Sequence, residues 1–190
     1  NKAPLAVLAI VLINVLVSLW MESQSLGRQR AVLFEDGFLP VRLAHLGDGQ
    51  RFVVDDGHGG ELVLSGEPAA VIGSMFTCMF LHGGWVHLIG NMWFLWIFGD
   101  NIEDDLGKLG YLIFYLVCGL IAGLSHVFMN MASDTPSLGA SGAISGVMGA
   151  YLVLHPQRRV TVILLRMITQ VPAYVAVGIW FAFQLLNSFA

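Results

Sequence analysis

Apolar runs alternate with short polar breaks along the chain, and their lengths predict the elements. Residues 3–20 form the first run, in which only Asn14 and Ser18 are polar. At about 18 residues it is long enough to cross a bilayer. A cleaved signal peptide needs a basic leader and a small-residue cleavage site. Lys2 is a single positive charge and no such site follows the run, so a retained helix is expected. Residues 69–81 are apolar but too short to span, and are expected to lie against the bundle. A second helix should begin near Trp85, run to Phe98, and end at the polar stretch 99–105. Residues 110–131 read as a third helix and 142–154 as a short fourth, terminated by the HPQRR of residues 155–159. Residues 171–189 read as a fifth, beginning near Pro172. No internal repeat stands out.

Residues 22–67 differ in kind. They hold eight acids and four arginines, which places them in water or at an interface. Within them, residues 51–54 (RFVV) and 61–64 (ELVL) flank a glycine-rich DDGHGG. β-Branched and aromatic residues about such a turn predict a hairpin, with His58 solvated in the turn. An isolated hairpin is only marginally stable, so it should lean on the helices or the membrane surface. The expected organisation is one membrane domain over 1–190, with residues 22–68 as an external insertion.

Composition agrees with the pattern. The chain is 56% hydrophobic and 12% charged, against about a quarter charged in soluble domains. A polytopic, all-α membrane protein is expected. The net charge of −4 and the lack of a basic cluster argue against a nucleic-acid partner. Cys78 and Cys118 sit in apolar surroundings without metal or redox spacing and read as packing residues. Arg158, Arg159 and Arg166 place the fourth-to-fifth helix connection in the cytosol. Alternating spans then put Lys2 and Lys108 inside, and residues 22–67 and Ser141 outside. A bacterial cytoplasmic membrane, with Ser141 on its extracytoplasmic side, is the expected setting.

The fourth helix is too short for the bilayer. From Ser141 to Leu154 it rises about 21 Å at 1.5 Å per residue, against a hydrocarbon core of about 30 Å. With the arginines at one interface, Ser141 stops roughly 10 Å short of the other. Non-helical backbone at that depth needs protein or water around it, so the polar segment 130–140 must descend into a shielded, wet cavity. Gly142 with Gly146, Ser145 with Gly149, and Gly119 with Gly123 have the small-residue spacing of close helix packing. Gly139 and Gly142 also bracket Ser141 at the loop-to-helix turn, where glycine permits unusual angles and close approach.

On the second helix, His87 and Asn91 are four apart and share a face, with His82 just ahead. Three readings are open: a structural hydrogen-bond network, a metal site that His126 could join, or donors for a developing oxyanion. The metal reading has no carboxylate or thiolate to complete a ligand set.

Residues 80–92 (FLHGGWVHLIGNM), 98–107 (FGDNIEDDLG) and 138–146 (LGASGAISG) together resemble the rhomboid family of intramembrane serine proteases, over about residues 76–156. The resemblance implies a six-helix bundle, of which five helices lie in this chain, and a Ser–His dyad that cleaves transmembrane segments of other proteins. It implies Ser141 as nucleophile and His87 and Asn91 as oxyanion-hole side chains. His82 and Glu103 become structural residues, and no metal or cofactor is needed.

Two features depart from the family. Its general-base histidine lies on the sixth helix, so the base is expected beyond residue 190. His155 is about 21 Å from Ser141 along a helix and cannot take its proton. The family's Trp-Arg pair is also absent at the matching distance before His82, where Ser74 stands. The rivals are a rhomboid-like pseudoprotease that binds or escorts membrane helices without cutting them, and a channel or transporter, which also uses half-helices and buried polar groups.

Overall fold

In a computed structural model, the structure describes residues 3–47, 51–57, 59–131, 133–164 and 167–187. Among the described residues, six α-helices and two β-hairpins follow one another. Two of the helices, α1 (Leu5–Glu22) and α4 (Trp85–Met129), are long and apolar enough to cross a membrane.

Helix α4 holds both of the segments read as the second and third helices. It bends at Gly107, which has φ 71° and ψ 161°. That left-handed backbone is open to glycine and strained for other residues, so the chain reverses there without a long loop. Each limb, 85–106 and 108–129, is about 33 Å long by helical rise, close to a hydrocarbon core. Helix α5 (Ser141–Leu154) packs against α4. A methyl group on Gly142 would lie 2.5 Å from the Cβ of Ala122, and one on Gly146 would collide with Cys118. The small-residue stripe thus lets the two helices touch nearly backbone to backbone. Phe98, Ile102, Tyr111, Tyr115, Ile144 and Met148 fill the core between them.

Two sets of polar contacts tie the ends. Glu103 is 4% exposed and accepts the N–H groups of Ala6 and Val7 at 3.0 and 2.9 Å. A carboxylate at the start of α1 satisfies two donors that the helix leaves unpaired and sits at the positive end of its dipole. Close by in sequence, His155 pairs with Asp105 at 2.8 Å, and Arg158 donates to Asn101 at 2.6 Å. These contacts fix the far end of α5 to the end of the first limb.

The region 22–67 is more structured than its polarity suggests. Ser25 caps α2 (Leu26–Asp36), a 3-10 turn follows at Pro40–His45, and β1 (Arg51–Asp55) pairs antiparallel with β2 (Glu61–Ser65). The expected hairpin is present, with Val53 opposite Val63; His58 lies outside the described residues. Its inner face, Val54 and Leu64, packs on Leu39. Arg42 is 3% exposed and anchors the region, donating to the carbonyls of Glu35 and Ser65. This buried guanidinium supplies an anchor that the sequence reading could not locate. Helix α3 (Pro68–Thr77) and a 3-10 turn at Cys78–Phe80 then lead back to α4.

The second hairpin corrects the all-helical expectation. β3 (Arg159–Leu164) pairs antiparallel with β4 (Met167–Pro172), where a plain connection and the start of the fifth helix were expected. The β-branched run RVTVIL and the MITQVP after it carry a strand pattern that the arginines obscured. Helix α6 (Ala173–Asn187) therefore begins after Pro172, its first N–H donating to the carbonyl of Arg158. Arg166 lies outside the described residues.

Candidate functional site

The polar segment before α5 is held on three sides. Ser137 pairs with Phe38 through two backbone hydrogen bonds. Gly139 donates its N–H to the carbonyl of Cys78 at 2.8 Å. Ser133 accepts the N–H of Val41 at 3.1 Å. These bonds fix the backbone just ahead of Ser141, the first residue of α5.

Gly139 has φ 103°, a conformation that other residues rarely adopt. Its neighbours rule out a side chain as well. A methyl group there would lie 2.8 and 2.9 Å from Cε1 and Nε2 of His87, and 3.6 Å from Nδ2 of Asn91. The turn before Ser141 thus rests directly on the two residues that the spacing placed on one face of the second helix. His82 joins them, its ring edge-on to that of His87 with centroids 5.1 Å apart. Gly139, His87, Asn91 and His82 meet two residues ahead of Ser141, while Gly142 faces Ala122 in the helix interface.

Asn91 is 1% exposed, and neither atom of its amide has a hydrogen-bond partner. The ring nitrogens of His82 are buried too, beside the backbone of Phe80. A buried unpaired polar atom costs about 1–3 kcal/mol, so such atoms are rare unless a role maintains them. A cavity of about 90 Å³ opens beside His82, between α1, α2 and the start of α4. That volume holds a few water molecules.

On the other side of Ser141, Ser145 donates its hydroxyl to the Ser141 carbonyl at 2.8 Å. Trp180 of α6 donates its indole N–H to the same Ser145 hydroxyl at 3.3 Å, and its ring packs on Phe94 with centroids 4.5 Å apart. Sequence reading gave Ser145 only a packing role and missed Trp180 and Phe38. Ser145 alone carried a signal, its four-residue spacing from Ser141.

The other described histidines lie elsewhere. His155 is paired with Asp105 at the opposite end of α5, His45 stacks on Phe52 beside the first hairpin, and His126 is exposed. Among the described residues, no three metal-ligating side chains are gathered.

The chain has relatives among known proteins. RHOMBOID-like protein 5 of Arabidopsis thaliana is 35% identical over 78 residues, which cover 41% of this chain and 25% of that protein. The human mitochondrial presenilin-associated rhomboid-like protein is 35% identical over 97 residues, covering 50% and 26%. The chloroplastic Rhomboid-like protein 11 of Arabidopsis thaliana is 38% identical over 71 residues, covering 37% and 25%. The chain spans about a quarter of the length of these curated relatives. No solved structure matches. Two of these relatives are named for organelles, so the expected bacterial cytoplasmic membrane gains no support from them. A family model for the rhomboid domain matches residues 70–190, and the chain belongs to the rhomboid family.

Proposed function

We propose that this protein is an intramembrane serine protease that cleaves transmembrane segments of other membrane proteins. One observation carries the reading: Gly139, two residues before Ser141, rests on His87 and Asn91, and the Asn91 amide is buried without a partner.

Ser141 is the nucleophile. Its Oγ attacks the scissile carbonyl carbon, and its proton passes to a general-base histidine on chain beyond residue 190. The carbonyl's electron pair moves onto oxygen. Asn91 Nδ2, His87 and the Ser141 N–H stabilise that oxyanion. As the first residue of α5, Ser141 has no acceptor for its N–H within the helix, and the helix dipole adds partial positive charge there. Collapse expels the amine, which takes its proton from the histidine, and leaves an acyl ester on Ser141. Water from the outer side, entering beside His82, hydrolyses the ester. His82 holds the His87 ring by edge contact and takes no part in the chemistry. In this reading Ser141 lies below the extracytoplasmic surface, Arg158 and Arg159 face the cytosol, and residues 22–68 form an external insertion in a single domain.

Fluorophosphonate labelling of the full-length protein in detergent tests the assignment. The wild type should label and Ser141→Ala should not; equal labelling of both sinks the nucleophile. If a transmembrane substrate helix binds and is never cut, the non-cleaving alternative takes its place.

A further inference from the structure

An open cleft of about 530 Å³ runs between the first limb of α4 and the start of β3. One end is aromatic, with Trp93 and Trp96 exposed by 44% and 52%. The other end is cationic, with the exposed side chains of Arg158 and Arg159.

The cationic end is built in place. Asp100 accepts both the backbone N–H of Asn101, at 2.7 Å, and its side-chain amide, at 2.6 Å. So held, Asn101 accepts from Arg158. Arg159 donates to the carbonyl of Gln170 across the second hairpin at 3.0 Å. A guanidinium carries five N–H donors, so each arginine keeps several for a ligand after these fixing bonds. The one carboxylate in the cleft is turned onto its neighbour, and the two guanidinium charges outweigh it.

A ligand that fills such a cleft is amphiphilic. A free anion would use only the arginines, and a neutral lipid only the indoles. Basic pockets between membrane helices bind anionic head groups, and tryptophan belongs at the membrane interface. We propose that this cleft binds an anionic phospholipid, with its phosphate on Arg158 and Arg159 and an acyl chain along Trp93 and Trp96. The lipid would bridge α4 to the second hairpin at the end of the molecule away from Ser141. The assignment does not depend on the proposed protease chemistry.

Tryptophan quenching in nanodiscs tests it. Full-length protein is placed in phosphatidylcholine carrying a minor fraction of brominated phosphatidylglycerol, or of brominated phosphatidylcholine. At about a five- to sixfold gain per arginine, phosphatidylglycerol should be preferred by roughly thirtyfold. The excess quenching should disappear in Trp93→Phe/Trp96→Phe and fall to the phosphatidylcholine level in Arg158→Gln/Arg159→Gln. Arg158→Lys/Arg159→Lys should retain most of it, because a lysine keeps the charge. Equal quenching by the two lipids, or an excess that survives the double glutamine change, overturns the proposal. Inorganic phosphate that raises the melting temperature in lipid-free detergent as much as phosphatidylglycerol does would mark a free-anion site and overturn it too.

Discussion

The backbones of Phe38 and Ser137 bond in both directions, Phe38 N–H to Ser137 O at 3.2 Å and Ser137 N–H to Phe38 O at 2.9 Å. This bridge joins the polar region after α1 to the segment that delivers Ser141. The Phe38 ring is 1% exposed and packs on Gly123 of α4, so the bridge is also seated on the helices. Phe38→Ala should cost about 3–5 kcal/mol, the range for emptying a buried aromatic site. It should lower the melting temperature in detergent and make the amides of residues 133–139 exchange faster. Phe38→Leu should recover much of both. Unchanged exchange at 133–139 in the alanine variant would show that the bridge does not hold the segment.

At Gly139 both the backbone conformation and the neighbouring ring oppose a side chain. Gly139→Ala meets both an unfavourable backbone conformation, about 1–3 kcal/mol, and the His87 ring. The turn must shift, and a displacement of about 1 Å in a catalytic array can cost on the order of 10²-fold in rate. Fluorophosphonate labelling should slow by about that factor, with a modest loss of melting temperature. Normal labelling by Gly139→Ala would show that the contact with His87 does not set the position of Ser141.

What the sequence made legible is what local pattern and length dictate. The short α5 is visible because a largely apolar run of 14 residues ends in a polar loop on one side and HPQRR on the other. His87 and Asn91 share a face because helical periodicity requires it. Their contact with Gly139 was not legible, since it depends on how α4 and the loop before α5 approach in space. The anchors Arg42 and Phe38 were invisible for the same reason: each acts through carbonyl or N–H groups distant in sequence, and backbone groups leave no residue signature. The second hairpin was misjudged for a different reason. Its strand pattern is local, but three arginines in a short connection read first as a topology signal.

Glu103 closes the end of the molecule opposite to Ser141. Its two bonds to the start of α1 are charge-assisted and buried, and such bonds contribute about 1.5–3 kcal/mol each. Glu103→Gln keeps the shape, removes the charge and leaves one acceptor oxygen for two donors. A loss of about 1–3 kcal/mol is expected, seen as a lower melting temperature and as faster exchange at Ala6 and Val7. Labelling of Ser141 should change little at temperatures where the protein stays folded, because these contacts lie far from Gly139. A large loss of labelling without loss of stability would instead give Glu103 a part in the reaction.

Asn91 separates the rival meanings of the polar cluster, because they predict opposite signs. A residue kept for a structural network should stabilise the fold, and its removal should cost about 1–3 kcal/mol. Yet both amide atoms of Asn91 are buried without a hydrogen bond to any protein group, so no protein contact offsets their desolvation. Asn91→Ala removes that burden at the expense of a small cavity. Its melting temperature should match or exceed that of the wild type. An oxyanion donor, by contrast, shows its worth only in the transition state, where losing one costs about 10²–10³ in rate. Cleavage of a transmembrane substrate by Asn91→Ala should therefore fall by that factor while the fold is unharmed. A variant that melts early and cuts at the wild-type rate when folded would return Asn91 to the structural reading.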